Sequence, residues 1–158
     1  MTEHSQFTVK PMEQGEAESV AAWHYPDEYV FYDWDQDKDD LAELLEPAKR
    51  ADHYFAVYRD EMLAGFYGFK LHGNVIDVGL GLRPDLTGHG DGEEFVNVGL
   101  QFAEAMYNPD SYTLSVAAFN TRAICIYERA GFVEVERYDH WTNAATHPFV
   151  RMTRGRKA

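Results

Sequence analysis

Apolar residues recur along this chain with two periods, every second position in some stretches and every third or fourth in others, so both strands and helices are expected. Phe7, Thr8 and Val9 read as a short opening strand. Pro11 then introduces a helix over 12–23, with Glu13 and Glu16 in the first turn, where the helix dipole favours acids. Leu41, Leu44, Leu45 and Ala48 have helical spacing across 41–50, and Pro47 should end or distort that helix. The aromatic-rich stretches 54–59 and 63–71, joined by Asp60-Glu61, read as a hairpin. A turn at His72-Gly73-Asn74 leads into a strand over 75–82, giving three successive antiparallel strands. Phe95, Val98, Phe102, Ala105 and Met106 make 93–107 an amphipathic helix, closed by Asn108-Pro109. A strand over 111–117, a helix over 121–130 and strands over 132–138 and 149–153 complete the order β-α-α-β-β-β-α-β-α-β-β. No repeat or linker interrupts it, so one domain over 1–158 is expected.

Two stretches depart from simple periodicity. Between residues 24 and 40, Tyr25, Tyr29, Phe31, Tyr32 and Trp34 are interleaved with Asp27, Glu28, Asp33, Asp35, Asp37, Asp39 and Asp40, a long connection or a short helical piece. In the strand 75–82, Ile76, Val78, Leu80 and Leu82 fall on one face, and Val75, Asp77, Gly79 and Gly81 on the other. Two glycines on one face fit either close approach of something to the backbone or a bulge or bend.

Composition narrows the partners. The chain has 158 residues, 45% apolar and 26% charged, with a formal net charge of −13. That balance disfavours a nucleic-acid backbone or an anionic membrane, both of which need a basic footprint, and is easier to reconcile with a cationic small molecule. The basic residues of 151–157 read as a solvated end. Cys125 is the single cysteine, and no Cys/His spacing resembles a zinc site, so a reducing compartment and no structural metal are expected. Residues 1–6 contain no basic segment followed by an apolar run, and no stretch is long enough to span a bilayer, which points to the cytoplasm.

Two motifs carry candidate chemistry. Arg83-Pro84-Asp85-Leu86-Thr87-Gly88-His89-Gly90-Asp91-Gly92 joins the glycine-bearing strand to the amphipathic helix. Such a turn aims several backbone N–H groups, backed by the positive end of a helix dipole, at one place: a pyrophosphate cradle. Glycines admit phosphate oxygens close to the backbone and permit positive φ. No Gly-Lys-Ser/Thr follows, and the preceding strands look antiparallel, so neither a P-loop nor a dinucleotide fold fits. The second motif runs from Asn120 to Phe132, with Asn120 suited to an N-cap and Gly131 to the position past the helix end. Asn120 and Tyr127 are nearly two helical turns apart and point to the same side.

Together the motifs resemble the GCN5-related N-acetyltransferase (GNAT) superfamily. Thr87-Gly88-His89-Gly90-Asp91-Gly92, after Leu82-Arg83-Pro84, is similar to its acetyl-CoA signature, and Asn120, Ala123, Tyr127, Gly131 and Phe132 match its Asn-x-x-Ala-x-x-x-Tyr-x-x-x-Gly-Phe segment at every named position. The resemblance implies an α/β (α+β) fold with a mixed, mostly antiparallel central sheet of about six or seven strands flanked by about four helices. It implies transfer of an acetyl group from acetyl-CoA to a primary amine, on a small molecule or peptide, by direct attack. Leu82 would then contact the acetyl-pantetheine arm, Thr87, Gly88, His89, Gly90, Asp91 and Gly92 the pyrophosphate, and Asn120 the pantetheine. Tyr127 would protonate the leaving thiolate. Asp77 sits where many members place a strand acid that takes the amine proton, with Glu28 and His72 as alternatives. The segment 24–34 lies where the superfamily builds its acceptor site, which makes Tyr25, Glu28 and Tyr29 candidate amine contacts through cation–π and charge pairing.

The turn departs from the family pattern twice. Thr87 stands where Arg or Gln is usual, and Asp91 sets an acid beside the pyrophosphate, so weaker CoA binding is expected. These departures favour a rival reading, a non-catalytic GNAT-like domain that binds CoA or a partner protein, whereas the intact Asn120 and Tyr127 favour an enzyme. An edge strand near the C-terminus also allows a homodimer.

Overall fold

The computed structural model describes residues 7–156. Residues 1–6, on which the reading of the chain start rests, and Lys157 of the basic end lie outside them. The described elements are β1 (Thr8–Pro11), α1 (Gln14–Ala21), α2 (Lys38–Leu45), α3 (Pro47–Arg50), β2 (Tyr54–Arg59), β3 (Met62–His72), β4 (Val75–Leu82), α4 (Gly92–Tyr107), β5 (Ser111–Ala117), α5 (Thr121–Arg129), β6 (Val133–Thr142) and β7 (Ala145–Gly155). Short 3-10 turns occupy Asp27–Tyr32, Trp34–Gln36 and Pro84–Leu86. The seven strands lie in one sheet in the order β1-β2-β3-β4-β5-β7-β6. β4 and β5 pair parallel, whereas β1–β2, β2–β3, β5–β7 and β6–β7 pair antiparallel. This is the mixed, mostly antiparallel sheet that the resemblance implied.

Local chemistry shifts several boundaries. α1 starts two residues later than periodicity suggested because Glu13 caps it: Glu13 and Glu16 form a capping box, with the Glu13 amide donating to the Glu16 carboxylate over 2.9 Å. α2 starts earlier than position 41 because the Asp37 carboxylate accepts from the amides of Asp39 and Asp40. Pro47 does end α2, and it does so by opening a separate short helix at its favoured first position. β6 and β7 extend well past the expected strands and meet at Asn143-Ala144, both left-handed, a two-residue turn that contains no glycine.

The chain divides into two compact units, Met1–Gly68 with Leu80–His89, and Phe69–Gly79 with Gly90–Ala158. In the first, Met12, Ala17, Val20, Leu44, Tyr54, Ala56 and Phe66 form a buried cluster. Trp34 from the aromatic-acidic segment packs edge-on against Phe66 and Tyr54, so this ring is core. The buried Arg50 guanidinium donates to the Leu44 carbonyl and the Gln14 side chain, tying α3 to α2 and α1. In the second unit, Phe95, Leu100 and Ala103 of α4, Tyr112 and Leu114 of β5, and Val150 and Met152 of β7 are buried. The Tyr112 hydroxyl donates to the Leu100 carbonyl over 3.1 Å, so this buried phenol has an acceptor.

The two-glycine face of β4 resolves against an open space at Gly81. A Cβ there would stand 2.6 Å from Cε1 of Phe66, so the room that this glycine leaves is filled by a core ring of β3.

Candidate active site

Within the first unit, the end of β4 is held from two directions. The Tyr25 hydroxyl donates to the Leu82 carbonyl over 2.8 Å. Burial, reinforced by the charge of Asp33, pushes the Tyr25 phenol well above its ordinary range, so it stays a donor at any physiological pH. Beyond Leu82, the Arg83 amide donates to the Ala64 carbonyl and the Arg83 guanidinium grips Asp85 through both carboxylate oxygens, at 2.6 and 3.0 Å. That hydrogen-bonded pairing holds the Asp85 carboxyl below its usual range. Leu82 therefore enters the glycine turn from a fixed position, and Tyr25 meets it through a hydroxyl already committed.

The turn itself bends as the glycines suggested, though they serve different ends. Gly88 and Gly90 have φ of 77° and 90°, the left-handed region that favours glycine. A Cβ at Gly90 would meet nothing within 4 Å. Gly92, the first residue of α4, has another constraint within the second unit: a Cβ there would come 2.6 Å from Cδ1 of Ile126 on α5. Asp91 is the N-cap of α4, but its side chain makes no cap to the helix amides. Thr87 turns inward, its hydroxyl donating to the Pro84 carbonyl over 2.8 Å, and His89 is exposed.

In the second unit, Asn120 caps α5 by accepting the Ala123 amide over 3.1 Å. Tyr127, half-buried on the same helix, packs edge-on against the buried Phe132, whose amide donates back to the Tyr127 carbonyl. The motif residues are thus also the residues that terminate their own helix. Asp77 is half-buried, and its Oδ1 accepts the Thr113 hydroxyl of β5 over 3.0 Å, the two residues being register partners. His72 is exposed at the end of β3. In the first unit, Glu28 is exposed and Tyr29 half-buried in the turn Asp27–Tyr32.

Sequence reasoning missed the hub of the segment 24–35. Asp33 is 5% exposed and spends both oxygens, one on the Tyr25 amide at 2.8 Å and the other on Nδ1 of His24 at 2.9 Å. The hydrogen bond to Asp33, with the added charge of Asp35, raises the His24 pKa above its ordinary value. Atoms of His24, Asp33 and Asp35 that could ligate a metal lie within 4.8 Å of one another, but this hydrogen bonding already accounts for Asp33. Period and spacing gave no sign of it, because one aspartate among the four acids of the segment is unremarkable until its burial is known.

Comparison with known proteins bears on the family and the fold. The family model described as an acetyltransferase (GNAT) domain matches residues 6–133. A mycothiol acetyltransferase of Streptomyces coelicolor is 34% identical over 123 residues, covering 75% of this chain and 38% of that protein. Another from Streptomyces scabiei is 32% identical over 143 residues, covering 82% and 44%. The chain thus spans less than half the length of these curated relatives. Among solved structures, a chimera of the Vibrio cholerae spermidine N-acetyltransferase and hSSAT aligns with a TM-score of 0.78 at 21% identity, covering 96% of each chain. The Vibrio cholerae spermidine N-acetyltransferase in complex with CoA and spermine aligns with a TM-score of 0.75 at 21% identity, covering 94% of each. These structures share its fold. On the strength of the family match, which takes in most of the chain, the protein belongs to the GNAT acetyltransferase family.

Proposed function

We propose that the chain is an acetyl-CoA-dependent N-acetyltransferase that acts as one domain over 1–158 and transfers an acetyl group to a primary amine by direct attack. The observation that carries this reading is the amino end of α4. Sixteen residues of helix begin at Gly92, the Asp91 side chain makes no cap bond to them, and the turn before them is left-handed at Gly88 and Gly90. Amides so placed, with the helix dipole behind them, suit a pyrophosphate. Gly88, His89, Gly90, Asp91 and Gly92 would hold it largely through the backbone, since Thr87 uses its hydroxyl on Pro84. Asn120 caps α5 through its side-chain oxygen and would contact the pantetheine.

Acetyl-CoA supplies the thioester; the chain supplies position and proton transfer. The acceptor nitrogen must shed a proton before its lone pair can attack. Asp77 is the strand carboxylate suited to take it, directly or through water, because the Thr113 hydroxyl engages Oδ1 and leaves Oδ2 able to accept. As the new C–N bond forms and the C–S bond breaks, Tyr127 gives its proton to the sulfur, and the second proton shed by the nitrogen as it becomes an amide returns to the Tyr127 oxygen through water. This route needs no metal. For the acceptor we propose a small cationic amine, in keeping with the net charge of −13 and with the spermidine N-acetyltransferase neighbours. Tyr25, Glu28 and Tyr29 would face it, Tyr25 through its ring, since its hydroxyl is bound to Leu82. A cytoplasmic location suits an exposed free thiol such as Cys125.

The proton-donor role has a direct test. Tyr127→Phe is expected to lower kcat about a hundredfold while leaving the acetyl-CoA dissociation constant unchanged by calorimetry. Unchanged turnover would remove Tyr127 from the mechanism. One observation favours the second reading, a CoA-binding domain without transfer: the inward Thr87 and the acidic N-cap Asp91 weaken the anion site. Binding of acetyl-CoA with no amine-dependent turnover would select it.

A further inference from the structure

β6 is the last strand in the sheet order, with β7 as its neighbour among the described residues, so its other edge offers backbone N–H and C=O groups for pairing. It is also the most exposed strand: Val133 is 59%, Val135 53% and Trp141 70% exposed. Large apolar side chains on an open edge invite another strand. A bulge between Glu134 and Glu136 sets where the regular run begins, and Thr142 ends it.

The regular run Glu136-Arg137-Tyr138-Asp139-His140 is complementary to itself when reversed. In an antiparallel pair, opposed residues alternate between hydrogen-bonded and non-hydrogen-bonded pairs. A two-fold axis relating two copies of one strand must map each pair onto a pair of the same kind, so one residue must lie on the axis, opposite itself. Placing Glu136, Arg137 or Asp139 there sets like charges face to face. Placing Tyr138 there opposes Arg137 to Asp139 and Glu136 to His140, each twice, and sets the two Tyr138 rings side by side. Every opposed pair is then attractive or apolar, the kind that stabilises antiparallel sheets. Tyr138 is braced for the central place, with its hydroxyl on Ser115 at 2.9 Å and the Arg151 guanidinium 4.9 Å above its ring. The exposed pairing of Arg137 with Glu134 costs little to exchange.

We propose that β6 docks against β6 of a second copy of this chain in that one register, with Tyr138 on the two-fold axis, forming a dimer whose sheet continues across the interface. The dimer is independent of the transferase reading. Sedimentation velocity on the full chain at micromolar concentrations tests it. The unaltered chain is expected to be dimeric. Arg137→Asp, which sets two acids against each other at both ends of the axis, is expected to weaken the dimer about tenfold or more. Adding Asp139→Arg restores the opposition with signs exchanged and is expected to restore the dimer. In a Cys125→Ser background, Tyr138→Cys is expected to form a disulfide-linked dimer on mild oxidation, since only this register places position 138 against itself. A monomeric unaltered chain, a dimer indifferent to Arg137→Asp, no recovery in the double variant, or no cross-link at 138 would each overturn the proposal.

Discussion

At the residue scale, two glycines that look alike in sequence differ in kind. Gly81 is required by packing: Phe66, wedged against Trp34, occupies the space that its Cβ would need. Gly81→Ala is therefore expected to destabilise the protein by about 1–3 kcal/mol in denaturant unfolding. Gly90 is required by conformation alone, being left-handed with open space beside it. Gly90→Ala is expected to cost roughly 1 kcal/mol and to weaken acetyl-CoA binding, read by calorimetry, because strain there moves the amides of the turn. Spacing placed both glycines near the site, but it could not distinguish room for a ligand from room already filled by the protein's own ring. The cap of α5 was legible because a helix motif carries its own start with it: Asn120 accepts the Ala123 amide where the spacing set an N-cap.

At the element scale, α1 is fastened to the first two strands by a buried carboxylate. Glu16 accepts from the Glu13 amide at 2.9 Å, from the Tyr58 hydroxyl at 2.5 Å and from Lys10 at 2.9 Å. Burial acts to raise its pKa, but the three donors outweigh it and the carboxyl titrates below its usual 4.5. A folded pKa below the unfolded one means that the stabilisation is complete above pH 4.5 and is lost as pH falls through the lower, folded value. Glu16→Gln is expected to destabilise by about 1–3 kcal/mol at neutral pH. Urea titrations should show the gap between the two proteins closing below pH 4.5; a gap constant from pH 7 to 3 would contradict the charge-based role. The same helix shows why boundaries were harder to read than elements: apolar spacing extended it to residues 12–23, while the capping box and the turn after Ala21 set its true length. β6 was under-read for a related reason, since an exposed edge strand has no buried face to impose alternation on its sequence.

At the scale of the whole molecule, the fold was legible because strand and helix periods alternate in an order that few architectures satisfy. The hub at Asp33 was not, because it depends on which of many acids becomes buried beside which partners. The net charge of −13 has a consequence at this scale too: if the acceptor is a cationic amine drawn in by the field of the protein, its KM should rise with salt while the maximal rate stays level, read from initial rates across a sodium chloride series. The central claim is transfer of an acetyl group from acetyl-CoA to an amine. Its most direct measurement is release of the free CoA thiol by the full chain, with acetyl-CoA and a panel of small cationic amines including spermidine. The expected result is thiol release that depends on the amine and matches acetylated amine one for one; acetyl-CoA bound but no amine-dependent thiol would contradict it.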